Sequence, residues 1–173
     1  HNRERKCHKW VKAHMMVGVK TNIVTSADVL PQDGADSPFM PAMVRQTKAN
    51  FTIRDVSADK GYSTVENHEV VAEAGGTPFI AFKRVATGGS GGLWQKMFHY
   101  FSFRRDEFLQ HYHKRSNVET TFSMIKAKFR DHVRSKTDTA MVNEVLCKIL
   151  CHNIVVLIHE MYELGIEPSF WQS

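Results

Sequence analysis

The sequence predicts an α/β domain with its strands early and its helices late. Three observations carry this. Stretches rich in valine and isoleucine, with polar residues between them, recur up to about residue 83. Helical sequence dominates from about Arg104 onward. Between 51 and 83 a strand, a helix and a strand follow one another through short loops, which implies a parallel pair with a right-handed crossover.

The elements follow in order. "KWVKAHMMVGVKTNIVTSADVLP" (9–31) reads as two strands joined near Gly18 to Asn22. A hairpin there makes the expected sheet mixed. "PQDGADSPF" is a loop of turn formers, and Ser37 followed by Pro38 can open a helix running to about Ala49. "FTIRDVSADKGYS" (51–63) is a strand ending in a turn. Ser63 and Glu66 have capping-box spacing for the next helix, which Gly75-Gly76 ends. "TPFIAFK" (77–83) is a further strand. A flexible glycine-rich loop follows at about 86–93, then Trp94, Phe98, Tyr100, Phe101 and Phe103, read as core in preference to a platform for an unpaired base. A long helix reaches Phe129, and a last one runs from about Thr139, capped by Asp138 or Thr139, to Glu163. No internal repeat or second domain is visible, so 1–173 reads as one domain.

Composition agrees with a globular domain: 42% of residues are hydrophobic and 10% aromatic. The net charge of +5 mildly favours polyanionic partners. Cys7, Cys147 and Cys151 form no regular framework and suggest reduced thiols in a cytosolic setting. Cys147 and Cys151 beside His152 could bind zinc, but no fourth ligand is evident, and a helical core face is the reading taken. No signal peptide is seen. The most apolar run, "IVVLI" (154–158), is too short to span a bilayer.

Two places carry chemistry. In "HYHKRSNVETTFSMIK" (111–126), Tyr112, Arg115, Glu119 and Lys126 stand three, four and seven residues apart. On an unbroken helix at about 100° per residue they share a stripe about 60° wide. Arg115 and Glu119 alone could be a surface ion pair. That reading leaves the tyrosine and second cation unexplained. In "VSADKGYS" (56–63), Asp59 stands where a parallel strand ends, the usual location of ligands in open α/β sheets; it could equally be a turn former before Gly61. Read together, the two carboxylates have the layout that holds divalent ions for phosphoryl displacement.

These residues resemble the DDE transposases of bacterial insertion sequences that carry the Y-x2-R-x3-E-x6-K signature, here Tyr112, Arg115, Glu119 and Lys126 with every spacing intact. "SADKGYST" (57–64) resembles the segment with the family's second catalytic aspartate, which would be Asp59. The resemblance covers about 21 to 165. It implies an RNase H-like fold, a mixed sheet flanked by helices, with a carboxylate triad binding two Mg²⁺ ions (Mn²⁺ as a substitute). Asp59 and Glu119 would be catalytic metal ligands. Arg115 and Lys126 would hold DNA phosphates, and Tyr112 would contact the backbone or support the site. The basic run Lys126, Lys128, Arg130, Arg134 and Lys136, with Lys60 beside Asp59, would track DNA. His111, His113, His152 and His159 are left as structural.

The resemblance also exposes a gap. The family's first aspartate lies on a strand before the hairpin, and "HNRERKCHK" contains none; Asp28, Asp33 and Asp36 come too late in the order. The expectation is a partial catalytic domain, missing its N-terminal strand and one metal ligand, with weak or no activity and an exposed sheet edge able to pair with another molecule, including as a homodimer. The intact protein would nick element ends with water and join the freed 3′-hydroxyl to target DNA. It would work in the bacterial cytoplasm at the nucleoid, with no membrane partner. Two rivals are a non-catalytic DNA-binding or assembly module from a decayed or domesticated transposase, and an RNase H-like nuclease.

Overall fold

The computed structural model describes residues 10–30 and 35–167. Cys7, Asp33 and the segment "HNRERKCHK" lie outside the described residues.

Strands β1 (Lys12–Val17) and β2 (Val24–Leu30) form the expected antiparallel hairpin, with Ala13 opposite Val29 and Met15 opposite Ala27. Asn22 closes the turn at φ +56°, a left-handed position that asparagine tolerates, and its N–H donates to the Gly18 carbonyl. Helix α1 (Met40–Asn50) follows, then β3 (Asp55–Ala58), α2 (Val65–Glu73) and β4 (Thr77–Ile80). β3 and β4 are parallel, Asp55 opposite Thr77 and Ala58 opposite Ile80, so the expected parallel pair is formed. Gly75 at φ +88° ends α2, and a Cβ on Gly76 would lie 2.7 Å from the Ile53 side chain, so the crossover closes tightly there. Helices α3 (Gly92–Phe103), α4 (Arg105–Tyr112), α5 (Ser116–Phe129) and α6 (Asp138–Glu163) complete the chain.

The single mixed sheet expected from sequence is not formed. Among the described residues β1–β2 and β3–β4 are separate two-stranded sheets, and no ladder joins them. Residues of β1 and β3 line a common cleft. The architecture is α/β with small sheets, and helices make up most of the described residues.

Helix starts also depart from expectation. Ser37–Phe39 is a 3-10 turn because Asp36 is already helical; the Ser37 hydroxyl is taken instead by Asn67 Nδ2 at 3.0 Å. Thr64, not Ser63, caps α2 through the Asn67 N–H at 3.2 Å, while buried Ser63 ends the 3-10 turn Lys60–Tyr62. Thr137, not Asp138 or Thr139, caps α6, its hydroxyl accepting from Ala140 N–H at 3.3 Å. The glycine-rich stretch forms a 3-10 turn at Gly88–Ser90 and opens α3 at Gly92.

Three apolar clusters hold the fold. Met40, Val44, Val56, Val71 and Ile80 pack α1 and α2 on β3–β4. Phe79, Phe82, Trp94, Met97 and Phe108 seat α3 and α4. The aromatic run is therefore core in the main, with the Trp94 indole donating to the Thr87 carbonyl at 2.8 Å, although Phe103 is exposed. Val24, Val29, Ile125 and Ile149 join the hairpin to α5 and α6.

α6 corrects two expectations. It buries Met141, Ile149, His152 and Val156, which turns Cys147 and Cys151 outward; both thiols are exposed, and they do not form a core face. Its 26 residues have a mean hydropathy of 1.7 over their most apolar window, so by length and composition it could cross a membrane. Uninterrupted apolar runs understate it because its few polar residues are spread along the helix. Leu150, Leu157 and Ile158 are exposed, while its other side packs on the hairpin.

Candidate active site

β3 delivers its carboxyl end to Asp59, whose extended backbone starts the 3-10 turn while its Oδ1 accepts the Lys60 N–H at 2.6 Å. Tyr62, at the end of that turn, lies 2.7 Å from His14 Nδ1. Burial, then the charges of Asp36 and Asp59, push its phenol up to about 12. Burial lowers the His14 pKa, so this pair is neutral near pH 7.

The sequence stretch 111–126 is not one helix. α4 ends at Tyr112, His113–Arg115 is a 3-10 turn, and α5 begins at Ser116. The turn tightens the rotation between Tyr112 and Glu119 relative to an ideal helix. Arg115 still reaches both: its Nη1 donates to Glu119 Oε1 at 3.0 Å, and its guanidinium lies 5.2 Å from the centre of the Tyr112 ring. Partial burial works against the charged guanidinium, but Tyr112, Glu119 and, less strongly, Asp59 outweigh it and raise its pKa. Arg115 thus pairs with the helical carboxylate and packs on the Tyr112 ring. Glu119 is open to solvent, its side chain 67% exposed.

Lys126 is not brought to this group. It lies near the far end of α5, exposed, beside Arg130 on the wall of a separate cavity of about 610 Å³. Lys128, Arg130, Arg134 and Lys136 are exposed too, and none of the five cations makes an ion pair among the described residues. Lys60 is exposed beside Asp59. A carboxylate shapes the run: Glu144 accepts the N–H groups of Arg134 and Ser135 at 3.0 and 2.9 Å. The Ser135 bond leads in lowering its pKa to about 2.

A second cluster escaped the sequence reading. Asp55, at the start of β3, lies 3.0 Å from His111 Nδ1 and 3.6 Å from Lys114 Nζ. His111 stacks on Phe79 with ring centres 4.1 Å apart, and its carbonyl accepts the Ser57 hydroxyl at 2.8 Å. These contacts seat the end of α4 on β3–β4 and so place Tyr112 and Arg115. The one signal in sequence is that His111 adjoins Tyr112. His152 is structural as expected: buried, with Nε2 2.9 Å from the Asn22 carbonyl.

Asp59 and Glu119 alone do not complete a divalent-ion site. One Glu119 oxygen holds Arg115 and one Asp59 oxygen holds a backbone N–H. Among the described residues no group of three or more His, Cys, Asp or Glu could hold a metal.

The site thus sets a strand-end carboxylate and a helical carboxylate–arginine pair on an α/β scaffold, with cations farther along the chain that make no ion pair among the described residues. The chain belongs to the transposase DDE-domain family, whose model matches residues 1–154. No curated protein and no solved structure matches it. Transposases act on DNA, and members of this family generally use divalent metal ions.

Proposed function

We propose that the chain is catalytic-domain sequence of a DNA transposase of the insertion-sequence type, cutting phosphodiesters at element ends and joining 3′-hydroxyls to target DNA. The observation that carries this reading is Arg115, which donates to Glu119 at 3.0 Å and lies 5.2 Å from the centre of the Tyr112 ring. Arg115 would exchange Glu119 for a DNA phosphate, for which its planar fork is suited. That exchange frees the Glu119 carboxylate at the same moment. Lys126, Lys128, Arg130 and Arg134, with Lys60 beside Asp59, would run along the backbone without reading bases. Asp59 and Glu119 are the proposed catalytic carboxylates. Mg²⁺, the proposed ion, needs oxygen donors beyond these two, and no step is derived through it.

The missing donors favour one second reading, a DNA-binding module without cleavage. One experiment separates the two. The full chain and Glu119→Gln are compared for binding to a labelled duplex and for nicking with Mg²⁺ or Mn²⁺. The catalytic reading expects wild-type nicking, a loss of about 10²-fold or more in the variant, and little change in affinity. Normal nicking by Glu119→Gln overturns the assignment. Binding without nicking by the wild type supports the second reading.

A further inference from the structure

One face of α6 buries Met141, Ile149, His152 and Val156. About 150° round the helix lies a second apolar stripe, and solvent reaches it. Cys147, Leu150, Ile154, Leu157, Met161 and Leu164 follow one another at alternating spacings of three and four residues. That is the repeat of a coiled-coil seam. Leu150, Leu157 and Leu164 are 60%, 55% and 70% exposed, and Ile154 and the Cys147 thiol are open as well. Leu146 and Ile158, also exposed, border the stripe. With these borders the stripe offers on the order of 700 Å² of apolar surface, taking roughly 200 Å² for each whole side chain, within the roughly 600–1,000 Å² per partner of a stable interface.

We propose that this stripe is the seam of a parallel two-stranded coiled coil formed with α6 of a second copy of the chain. Counted as heptads, Cys147, Ile154 and Met161 take the a positions, and Leu150, Leu157 and Leu164 the d positions. Leucine at every d with a β-branched residue at the central a is the combination that favours two parallel strands. In that register the flanking Glu160 falls beside Gly165 of the second copy, so it meets no like charge. The docked hairpin lies on the far side of α6 from the seam, which leaves room for the second helix. A lipid surface fits less well. The only Lys or Arg on α6 is Lys148, which is paired with Glu144, and the charges near the end of the stripe are Glu160 and Glu163. The contact uses no sheet edge, and it does not depend on the catalytic reading.

The test uses the full chain with Cys7→Ser, which leaves Cys147 and Cys151 as its thiols. Sedimentation equilibrium in reducing buffer is expected to show a dimer with a Kd of about 1 μM or tighter. Leu157 belongs to none of the three core clusters, so Leu157→Lys puts a charge in the seam and leaves the core intact. It is expected to weaken the dimer about 30-fold or more with an unchanged far-UV spectrum. Thiol pairing reads the register independently. Oxidation with dithiodipyridine is expected to join two copies through Cys147, which faces its own equivalent across an a layer. Cys151→Ser therefore keeps the covalent dimer and Cys147→Ser loses it. Four outcomes overturn the proposal. One is a monomer at about 100 μM. Another is a Leu157→Lys protein that dimerises as its parent does, which would assign the contact to another face. The third is linkage through Cys151 alone. The last is a monomer that sediments with phosphatidylcholine vesicles, which would assign the stripe to a lipid surface.

Discussion

Arg115 holds Glu119 in a half-exposed ion pair that contributes little to stability by itself, since exposed pairs are typically worth about 0–1 kcal/mol. In the proposed function its value lies in being exchangeable for phosphate. Lys126 is different: it is exposed, unpaired and well along α5, so it should act only as a counter-charge. Lys126→Ala should weaken DNA binding evenly across sequences and reduce the slope of log K against log salt by about 0.9, read by anisotropy titrations at several salt concentrations. At this scale the sequence was informative where spacing is local. Tyr112, Arg115 and Glu119 meet as their spacing suggests. Asp55 and His111 could not be paired from sequence, because they are 56 residues apart and the contact exists only once α4 docks on β3.

Elements were legible in type and less so at their ends. The hairpin and the parallel pair follow from alternation and turn residues. Cap identity does not, because Ser63 and Thr64, or Thr137, Asp138 and Thr139, are all good capping residues and tertiary packing selects among them. Thr137→Ala should therefore cost about 1 kcal/mol in urea unfolding, whereas Thr139→Ala should stay within about 0.5 kcal/mol. The connection from α5 to α6 depends on Glu144. Its folded pKa, about 2, is below the ordinary 4.5, so its stabilisation is complete above about 4.5 and is lost as pH falls toward about 2. Glu144→Gln should be less stable than wild type at pH 6, and the gap should close on acidification, as urea midpoints from pH 6 to pH 2.5 would record. The outward cysteines of α6 were misread because an i,i+4 pair in an apolar helix fits either face; Asn153 and His152 decide which face docks.

Across the molecule, the hairpin and the last described helix close on each other. β2 lies against α6, and the Asn153 amide both donates to the Val24 carbonyl at 2.8 Å and accepts the Val24 N–H at 2.9 Å, as a neighbouring strand would. Asn153→Leu should leave those two groups unpaired and cost about 1–3 kcal/mol, measured by thermal or urea unfolding. The divided sheet was the least legible feature. Strand patterns report which face is buried; they carry no information on which edges are joined.

This closure has a consequence during synthesis. Val24 and Asn153 are 129 residues apart, so at about 5–20 residues per second the hairpin waits roughly 6–26 s for the helix that covers it. Through that interval Val24, Val29 and their neighbours are bare on the ribosome, and the nascent chain is a client for whatever shields apolar hairpins there.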